Sequence, residues 1–150
     1  MIGSVCPGTR GFEIHVEGKY RDGLTGLSKF SHAIVSWLAN KADASGQDAP
    51  MNCPAPYTST DSNTGVFASR SPSRPNPICL SVIAVTAIDE RSGILTTPFI
   101  DALPNTPVLD IKPYFPASDR VESAQVPDHF GHWPRNLEES VTFDWAAEFR

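Results

Sequence analysis

The longest apolar run of the sequence is ICLSVIAVTAI, residues 78–88. Its valines and isoleucines favour a strand, so the run predicts a central β-strand. Earlier in the chain, FEIHVE at residues 12–17 alternates apolar and polar side chains, which is the pattern of a half-buried strand. Together the two stretches predict that a β-sheet forms the core of the fold.

Further short strands are predicted around these two, over residues 32–39, 65–69, 93–100 and 106–112. Fourteen prolines and ten glycines are hard to accommodate in long helices and favour short strands joined by turns. We therefore predict a mainly β barrel with little helix, formed by one domain over residues 1–150.

A single helix is predicted near the end of the sequence. Asn136 with Glu139 three residues later resembles a capping box, and the helix would run through Trp145 to Phe149. The sequence VTF at residues 141–143 fits a strand equally well.

The composition narrows the class of protein. Of the 150 residues, 40% are hydrophobic and 19% are charged, which excludes a disordered chain and a polybasic nucleic-acid arm. No stretch approaches the roughly 18 apolar residues of a membrane span. The first eight residues also lack the charged-then-apolar layout of a signal peptide. We therefore expect a cytoplasmic protein that contacts no membrane.

The spacing of cysteines and histidines argues against a metal site. Cys6, Cys53 and Cys79 form no CxxC pair, so neither a disulfide framework nor a structural zinc is expected. His129 and His132 are three residues apart, but no third ligand lies near them in the sequence. A surface or loop pair is therefore favoured, and we expect no metal.

The net charge of −5 is unevenly distributed. Residues 119–150 contain seven acidic residues against three arginines, whereas no acidic residue lies between Asp61 and Asp89. Arg70 and Arg74 both lie in that acid-free stretch. An anion can therefore approach it without meeting a carboxylate that is close in sequence.

The most unusual stretch is RSPSRPNP, residues 70–77. Its three prolines fix φ and stiffen the backbone, so its two arginines would be held in place. Such a turn suits a phosphate or a carboxylate, and Asn76 can both donate and accept hydrogen bonds. The alternative is a proline-rich connector whose arginines are merely solvated.

Asp110 and Lys112 form a second candidate pair. They are two residues apart on a predicted strand, so both side chains point to the same face. A carboxylate beside an ammonium group is either a structural ion pair, the commoner case, or an acid/base pair that lines a pocket.

Three segments of the sequence resemble the TsaA-like family, whose characterised members are TrmO-type S-adenosylmethionine-dependent tRNA methyltransferases. They are GVFASRSPSRPNPI at 65–78, TPVLDIKPY at 106–114, and FSH at 30–32 following Gly26-Leu27. The resemblance covers residues 12–118. It implies a compact single-sheet β-barrel that acts as a homodimer, with S-adenosylmethionine near the subunit interface. The implied reaction methylates N6 of N6-threonylcarbamoyladenosine beside the anticodon of tRNA.

The resemblance also implies which residues contact the cofactor. They are Pro7, Gly8, Asn40, Lys41, Arg70, Leu80, Asp101, Ala102, Leu103 and Pro104. The chain departs from the family pattern at Cys79, which replaces a glycine, and at Pro104-Asn105, which replaces Asp-Gly. It also has a shorter stretch around Pro7-Gly8.

Arg74 and Asn76 are predicted to contact RNA. The prolines on both sides of Arg74 favour an arrangement in which Arg74 and Arg70 project to different sides of the turn. Alternatively, Arg74 braces the turn by pairing with a carboxylate such as Asp110.

Catalysis is predicted to depend on Asp110 and Lys112. Methyl transfer to an N–H group requires that a proton leave, and Asp110, held beside Lys112, is the best candidate base by residue type. Two other functions remain open at this point, namely a cofactor-binding module without methyl transfer and a small-molecule methyltransferase.

Overall fold

The computed structural model describes residues 1–42 and 45–150. The strands of this described part are β1 (Gly3–Gly8), β2 (Gly11–Val16), β3 (His32–Leu38), β4 (Asn52–Cys53), β5 (Thr64–Gly65), β6 (Ile78–Ala84), β7 (Ala87–Asp89), β8 (Ile94–Thr97) and β9 (Pro107–Pro113). Its α-helices are α1 (Pro116–Asp119) and α2 (Leu137–Ser140), and several single-turn 3₁₀ segments connect the strands. The prediction of a mainly β fold with little helix is confirmed.

Seven strands form one sheet in the order β6-β3-β9-β1-β2-β8-β7, and every neighbouring pair is antiparallel. The strands β4 and β5 form a separate two-stranded sheet. The edges of the large sheet, β6 and β7, are not paired with each other. Closure into a barrel therefore stays a prediction.

The apolar run at residues 78–88 forms two strands, not the one that was predicted. Only Val85 and Thr86 separate β6 from β7. The Val85 N–H donates to the Ser31 carbonyl (2.8 Å) and the Thr86 N–H to the Thr96 carbonyl (3.0 Å). Because Ser31 precedes β3 and Thr96 belongs to β8, the run passes from one edge of the sheet to the other.

The core lies on one face of the curved sheet. Its buried members are Val5, Ile14, Val16, Leu24, Leu27, Ala33, Val35, Trp37, Ile83, Leu95, Ile100 and Val108. The alternation predicted for residues 12–17 is confirmed, since Ile14 and Val16 are buried. Their neighbours His15 and Glu13 pair outside the core, with 2.7 Å between Nε2 and Oε2. Each fully buried aliphatic side chain contributes about 1.5–3 kcal/mol to folding.

The segment 65–69 was predicted as a strand, and this is wrong for most of its length. After β5, residues Val66–Ala68 form a 3₁₀ turn. The Val66 side chain is buried, and its N–H donates to the Met51 carbonyl at 3.0 Å. This bond continues the β4–β5 pairing by one residue, because Asn52 lies opposite Gly65. The chain then leaves the strand for the 3₁₀ turn.

The predicted helix near the end of the sequence is much shorter than expected. Its capping box is confirmed, because the Glu139 N–H donates to Asn136 Oδ1 at 2.9 Å. However, α2 ends at Ser140, and Val141–Phe143 forms no strand. In the part of the chain that the structure describes, no helix is long and apolar enough to cross a membrane.

Candidate functional site

A cleft of about 710 Å³ lies where β3 ends and β6 begins. Its walls come from the end of β3 and the loop after it, the turn at residues 70–74, the first half of β6, and the segment 99–106. A volume of this size lies within the range of sites that bind small molecules and cofactors, roughly 300–1,000 Å³.

Seven of the ten residues implied as cofactor contacts line this cleft. They are Asn40, Lys41, Arg70, Leu80, Asp101, Ala102 and Leu103. These residues come from three separate parts of the chain, so their convergence arises from the fold and not from sequence proximity.

The other three implied contacts do not line the cleft. Pro7 lies opposite Phe12 in the β1–β2 ladder, and Phe12 itself is a lining residue. Gly8 lies at the end of β1, opposite Gly11, and Pro104 directly follows the lining residue Leu103. The cofactor role of Pro7, Gly8 and Pro104 therefore stays a prediction.

Three aromatic side chains form the apolar wall of the cleft, and none of them was predicted from the sequence as a site residue. They are Phe12, Trp37 and Phe99, and the rings of Phe12 and Phe99 meet edge to face at 6.2 Å. The Trp37 indole N–H donates to Ser81 Oγ at 3.0 Å, which satisfies its polar edge and fixes the ring. Leu80 and Leu103 add apolar surface that is more than half exposed.

Arg70 stands at the edge of the large sheet. Its Nη2 donates to the Leu80 carbonyl at 3.2 Å, so it covers a backbone acceptor on the outer strand β6. A guanidinium group carries five N–H donors in a fixed fork. One contact to a carbonyl therefore leaves Arg70 the capacity to bind an anion in the cleft.

Arg74 braces the turn from within. Its Nη2 donates to the Val66 carbonyl (3.3 Å) and its Nη1 to the Ser69 carbonyl (3.4 Å). These partners are backbone carbonyls, not the Asp110 carboxylate that was considered. Arg74 also lines the same cleft as Arg70, which differs from the expectation that the two arginines project to different sides.

Asn76 lies outside the cleft lining and is exposed. Its backbone carbonyl accepts the Ile78 N–H at 2.7 Å, which tightens the turn just before β6. An RNA contact by Asn76 or Arg74 stays a prediction.

Cys79 places a thiol in the cleft where the family pattern has glycine. The residue is half-buried and lies opposite Trp37 in the β3–β6 ladder. Burial raises the pKa of the Cys79 thiol above its ordinary value, although Arg74 opposes this shift. The side chain is therefore a neutral, weakly polar group at neutral pH.

The loop at residues 101–105 keeps a glycine-like backbone although it lacks the glycine of the family pattern. Asn105 has φ of 66°, in the left-handed region that favours glycine and that asparagine also tolerates. The Asn105 N–H donates to the Val5 carbonyl at 2.7 Å, which ties the loop to β1.

Asp110 and Lys112 lie on the outward face of β9, away from the cleft. Asp110 Oδ2 and Lys112 Nζ form an ion pair, and their side chains are 48% and 70% exposed. Asp110 borders a different cavity of about 260 Å³, together with Ile2 and Leu24. The two side chains do form an ion pair, and the catalytic role of both residues stays a prediction.

His132 has a protein partner, since its Nε2 lies 2.9 Å from Glu148 Oε2. Across residues 1–42 and 45–150, no group of three histidine, cysteine or acidic residues is arranged to hold a metal ion.

The sheet and its cleft define the class of protein, a small mainly β domain with a cofactor-sized binding site. The chain belongs to the family described as the tRNA-methyltransferase O N-terminal domain, whose model matches residues 3–120.

Several proteins are similar to this chain. A probable S-adenosyl-L-methionine-binding protein of Archaeoglobus fulgidus is 40% identical over 114 residues, which make up 76% of this chain and 29% of that protein. Another A. fulgidus protein, an S-adenosyl-L-methionine-binding protein, is 36% identical over 113 residues, which make up 75% of this chain and 76% of that protein. The tRNA (adenine(37)-N6)-methyltransferase of Escherichia coli is 32% identical over 75% of this chain and 48% of that enzyme.

The fold is also similar to a solved structure. A crystal structure of TrmO matches with a TM-score of 0.64 and 28% identity, covering 83% of this chain and 60% of that chain. This chain thus spans less than two thirds of the crystallised TrmO chain, of the E. coli enzyme and of the first A. fulgidus protein.

Proposed function

We propose that this domain binds S-adenosyl-L-methionine in the cleft and transfers its methyl group to N6 of an adenine in tRNA. The observation that carries the proposal is the convergence of seven implied cofactor contacts on one cofactor-sized cleft. The names of the relatives support both the cofactor and the substrate.

The chemistry of the cleft fits this cofactor. Adenine requires an apolar slot, which Phe12, Trp37 and Phe99 can provide. The cofactor's carboxylate requires cationic donors, and Arg70 has free capacity for one. Asp101 would accept hydrogen bonds from the amino group or from the ribose hydroxyls.

The bound cofactor would supply a methyl group on a sulfonium, and an incoming nitrogen would attack the methyl carbon in line and displace the sulfur as a neutral thioether. The N–C bond forms as the S–C bond breaks, and the proton on nitrogen passes to a general base. The cleft residues contribute by holding both reactants in line, an effect that is worth several kcal/mol (up to roughly 7–11) in well-oriented reactions.

Arg70→Ala is expected to weaken S-adenosyl-L-methionine binding by roughly tenfold or more, because a charged hydrogen bond to the carboxylate contributes about 1.5–3 kcal/mol. Calorimetric titration of the wild type and the variant measures the effect. The matched control is Arg91→Ala, an exposed arginine in the β7–β8 turn, which should bind like the wild type. Absence of heat and of thermal stabilisation in the wild type at millimolar cofactor would refute the proposal.

Labelled cofactor and total tRNA separate the three candidate functions. A tRNA methyltransferase labels the tRNA, a binding module labels nothing, and a small-molecule methyltransferase labels metabolites in an extract. We expect label in tRNA, at adenine.

Asp110→Asn tests the proposed base in the same assay. Removal of a general base costs about 10²–10⁴-fold in rate, so a labelling rate at least a hundredfold lower, with unchanged cofactor affinity, would identify Asp110 as the base. Because Asp110 lies outside the cleft and borders a separate cavity, we expect a labelling rate close to that of the wild type. Asp22→Asn, at an exposed acid outside both cavities, is the control. If Asp110→Asn labels tRNA at the wild-type rate, the pair with Lys112 is structural only.

We also propose that residues 1–150 form one barrel domain that acts as a homodimer. The two-residue link between β6 and β7 supports the barrel. Large apolar side chains of the cleft support the dimer, since Phe99 is 65% exposed and Leu103 58%. A second copy would cover them, and a solution mass of 16.3 kDa, that of one chain, would contradict the dimer.

A further inference from the structure

Residues 121–150 lie beyond the family match and pack against a distant loop of the domain. We call this segment the clamp. Its contacts centre on Pro56–Thr58. The Thr58 N–H donates to the Glu148 carbonyl (3.0 Å), and the Arg150 N–H donates to the Pro56 carbonyl (3.1 Å). Backbone pairing on both sides of Tyr57 thus fixes the clamp in a defined register.

An aromatic cluster seals this contact. Tyr57 is only 7% exposed, and its ring lies 4.8 Å from that of Phe130 and 5.7 Å from that of Phe149. Trp133 lies within the same cluster, 5.8 Å from Tyr57. Burial raises the pKa of Tyr57 above its ordinary value, as expected for a phenol surrounded by apolar rings.

Glu148 is the charged group that orders the clamp. The residue is 8% exposed, and its Oε2 accepts hydrogen bonds from Trp133 Nε1 (2.7 Å) and from His132 Nε2 (2.9 Å). The hydrogen bond from Trp133, followed by that from His132, lowers the pKa of Glu148. The Glu148 carboxylate thereby connects two parts of the clamp, the loop that carries His132 and Trp133 and the last residues of the chain, whose backbone pairs with Thr58.

The loop held by the clamp is connected to the turn at residues 70–77 through β5 and the 3₁₀ turn Val66–Ala68. From Thr58 the chain leads to β5, which pairs with β4, and then to Val66, whose carbonyl accepts from Arg74. The Ser69 N–H donates to the same Val66 carbonyl at 3.3 Å. A shift of the loop that carries Tyr57 would therefore move the atoms that brace Arg74.

We propose that Glu148 is a positioning residue. It orders the clamp on Pro56–Thr58, and the ordered clamp holds the turn at residues 70–77 in the conformation that presents its arginines to the cleft. The functional part of this inference rests on the proposed cofactor binding. It extends the site to a segment that makes no contact with the cleft and lies outside the family match.

The test compares Glu148→Gln and Glu148→Ala with Glu138→Gln, an exposed acid of the same segment. Glu148→Gln keeps an oxygen that can accept from Trp133, so it serves as the conservative variant. We expect S-adenosyl-L-methionine affinity to fall roughly tenfold in Glu148→Ala and about threefold in Glu148→Gln, since a partly populated competent state weakens binding in proportion. Glu138→Gln should bind like the wild type.

The double variant Glu148→Ala/Arg74→Ala distinguishes positioning from general destabilisation. If the effect passes through Arg74, Glu148→Ala should weaken binding by less than about twofold once Arg74 is absent, because coupled residues are not additive. An undiminished tenfold loss in the Arg74→Ala background would overturn the proposal. So would wild-type affinity in Glu148→Ala.

Amide hydrogen exchange measures the coupling between Glu148 and the turn at residues 70–77 in the absence of cofactor. The Val66 and Ser69 amides are hydrogen-bonded to Met51 and Val66, and they should exchange faster in Glu148→Ala than in Glu138→Gln. If the wild type binds no cofactor, the proposed function fails while this measurement still decides the coupling. Unchanged exchange at both amides would refute the positioning role.

Discussion

Arg74→Ala is expected to lower the melting temperature and the cofactor affinity together. The guanidinium of Arg74 donates to the carbonyls of Val66 and Ser69, and both lose a donor when it is removed. The Val66 carbonyl keeps the Ser69 N–H and Oγ as donors, so the cost is that of two lost part-buried hydrogen bonds, about 1–3 kcal/mol in all. For a chain of this size each kcal/mol lowers Tm by roughly 2–4 °C. We expect a decrease of about 3–10 °C.

The loss of affinity follows from the position of Arg74 in the cleft wall. Its removal both deletes one cation of the lining and frees the turn that carries Arg70. Cofactor affinity should therefore fall by at least roughly tenfold, as calorimetric titration would show. Arg74→Lys keeps the charge but not the two-pronged donation, so it should show most of the Tm decrease.

The opposite pattern would reinstate Arg74 as an RNA contact. In that case tRNA affinity would fall alone, and the salt dependence of tRNA binding would flatten by about one unit of slope. Melting temperature and cofactor affinity would then match those of the wild type, and the bracing role described above would be wrong.

The strands were predictable where side-chain periodicity reports burial. Residues 12–17 alternate because Ile14 and Val16 face the core while Glu13 and His15 do not. The segment 106–112 agrees closely with β9, Pro107–Pro113. In both cases the pattern needed for folding is local, so it can be recognised in one stretch of sequence.

Other elements depend on contacts with distant residues, which no local pattern contains. Residues 66–68 form a 3₁₀ turn although they are apolar, and the Val66 carbonyl is held by Arg74, which follows eight residues later. After Ser140, Phe149 packs on Tyr57 and Trp145 packs on Trp133, instead of extending α2. The sequence shows that these segments contain hydrophobic residues. It does not show which surface of the domain each of them covers.

The candidate site was predictable from its resemblance to a family, yet its walls were not. The resemblance implies that Arg70, Leu80 and Asp101 contact the cofactor, and all three line the cleft. Phe99 and Trp37 were missed because a cleft wall is indistinguishable, in the sequence, from a core-facing strand residue. Asp110 and Lys112 share a face as predicted, but the fold turns that face away from the cleft.

Gly11→Ala is expected to cause a large loss of stability next to the aromatic wall of the cleft. Gly11 is the first residue of β2, directly after the β1–β2 turn, and its φ of +126° is a conformation that residues with side chains rarely adopt. A Cβ there would lie 2.5 Å from the Pro98 carbonyl oxygen and 2.6 Å from that of Thr97. These backbone atoms belong to the end of β8 and cannot move without disrupting the sheet.

Gly11→Ala combines two energetic costs. The strained backbone costs about 1–3 kcal/mol, and the steric overlap of the new Cβ costs a similar amount. We expect the free energy of unfolding to fall by about 2–5 kcal/mol, measured by urea denaturation. Gly18→Ala is the matched control, because a Cβ at Gly18 meets no atom within 4 Å. Cofactor affinity should fall as well, since Phe12 and Phe99 flank the strained turn and line the cleft. Equal stability of the two variants would show that the turn can relax away from β8, and that the aromatic wall of the cleft does not depend on a glycine at this position.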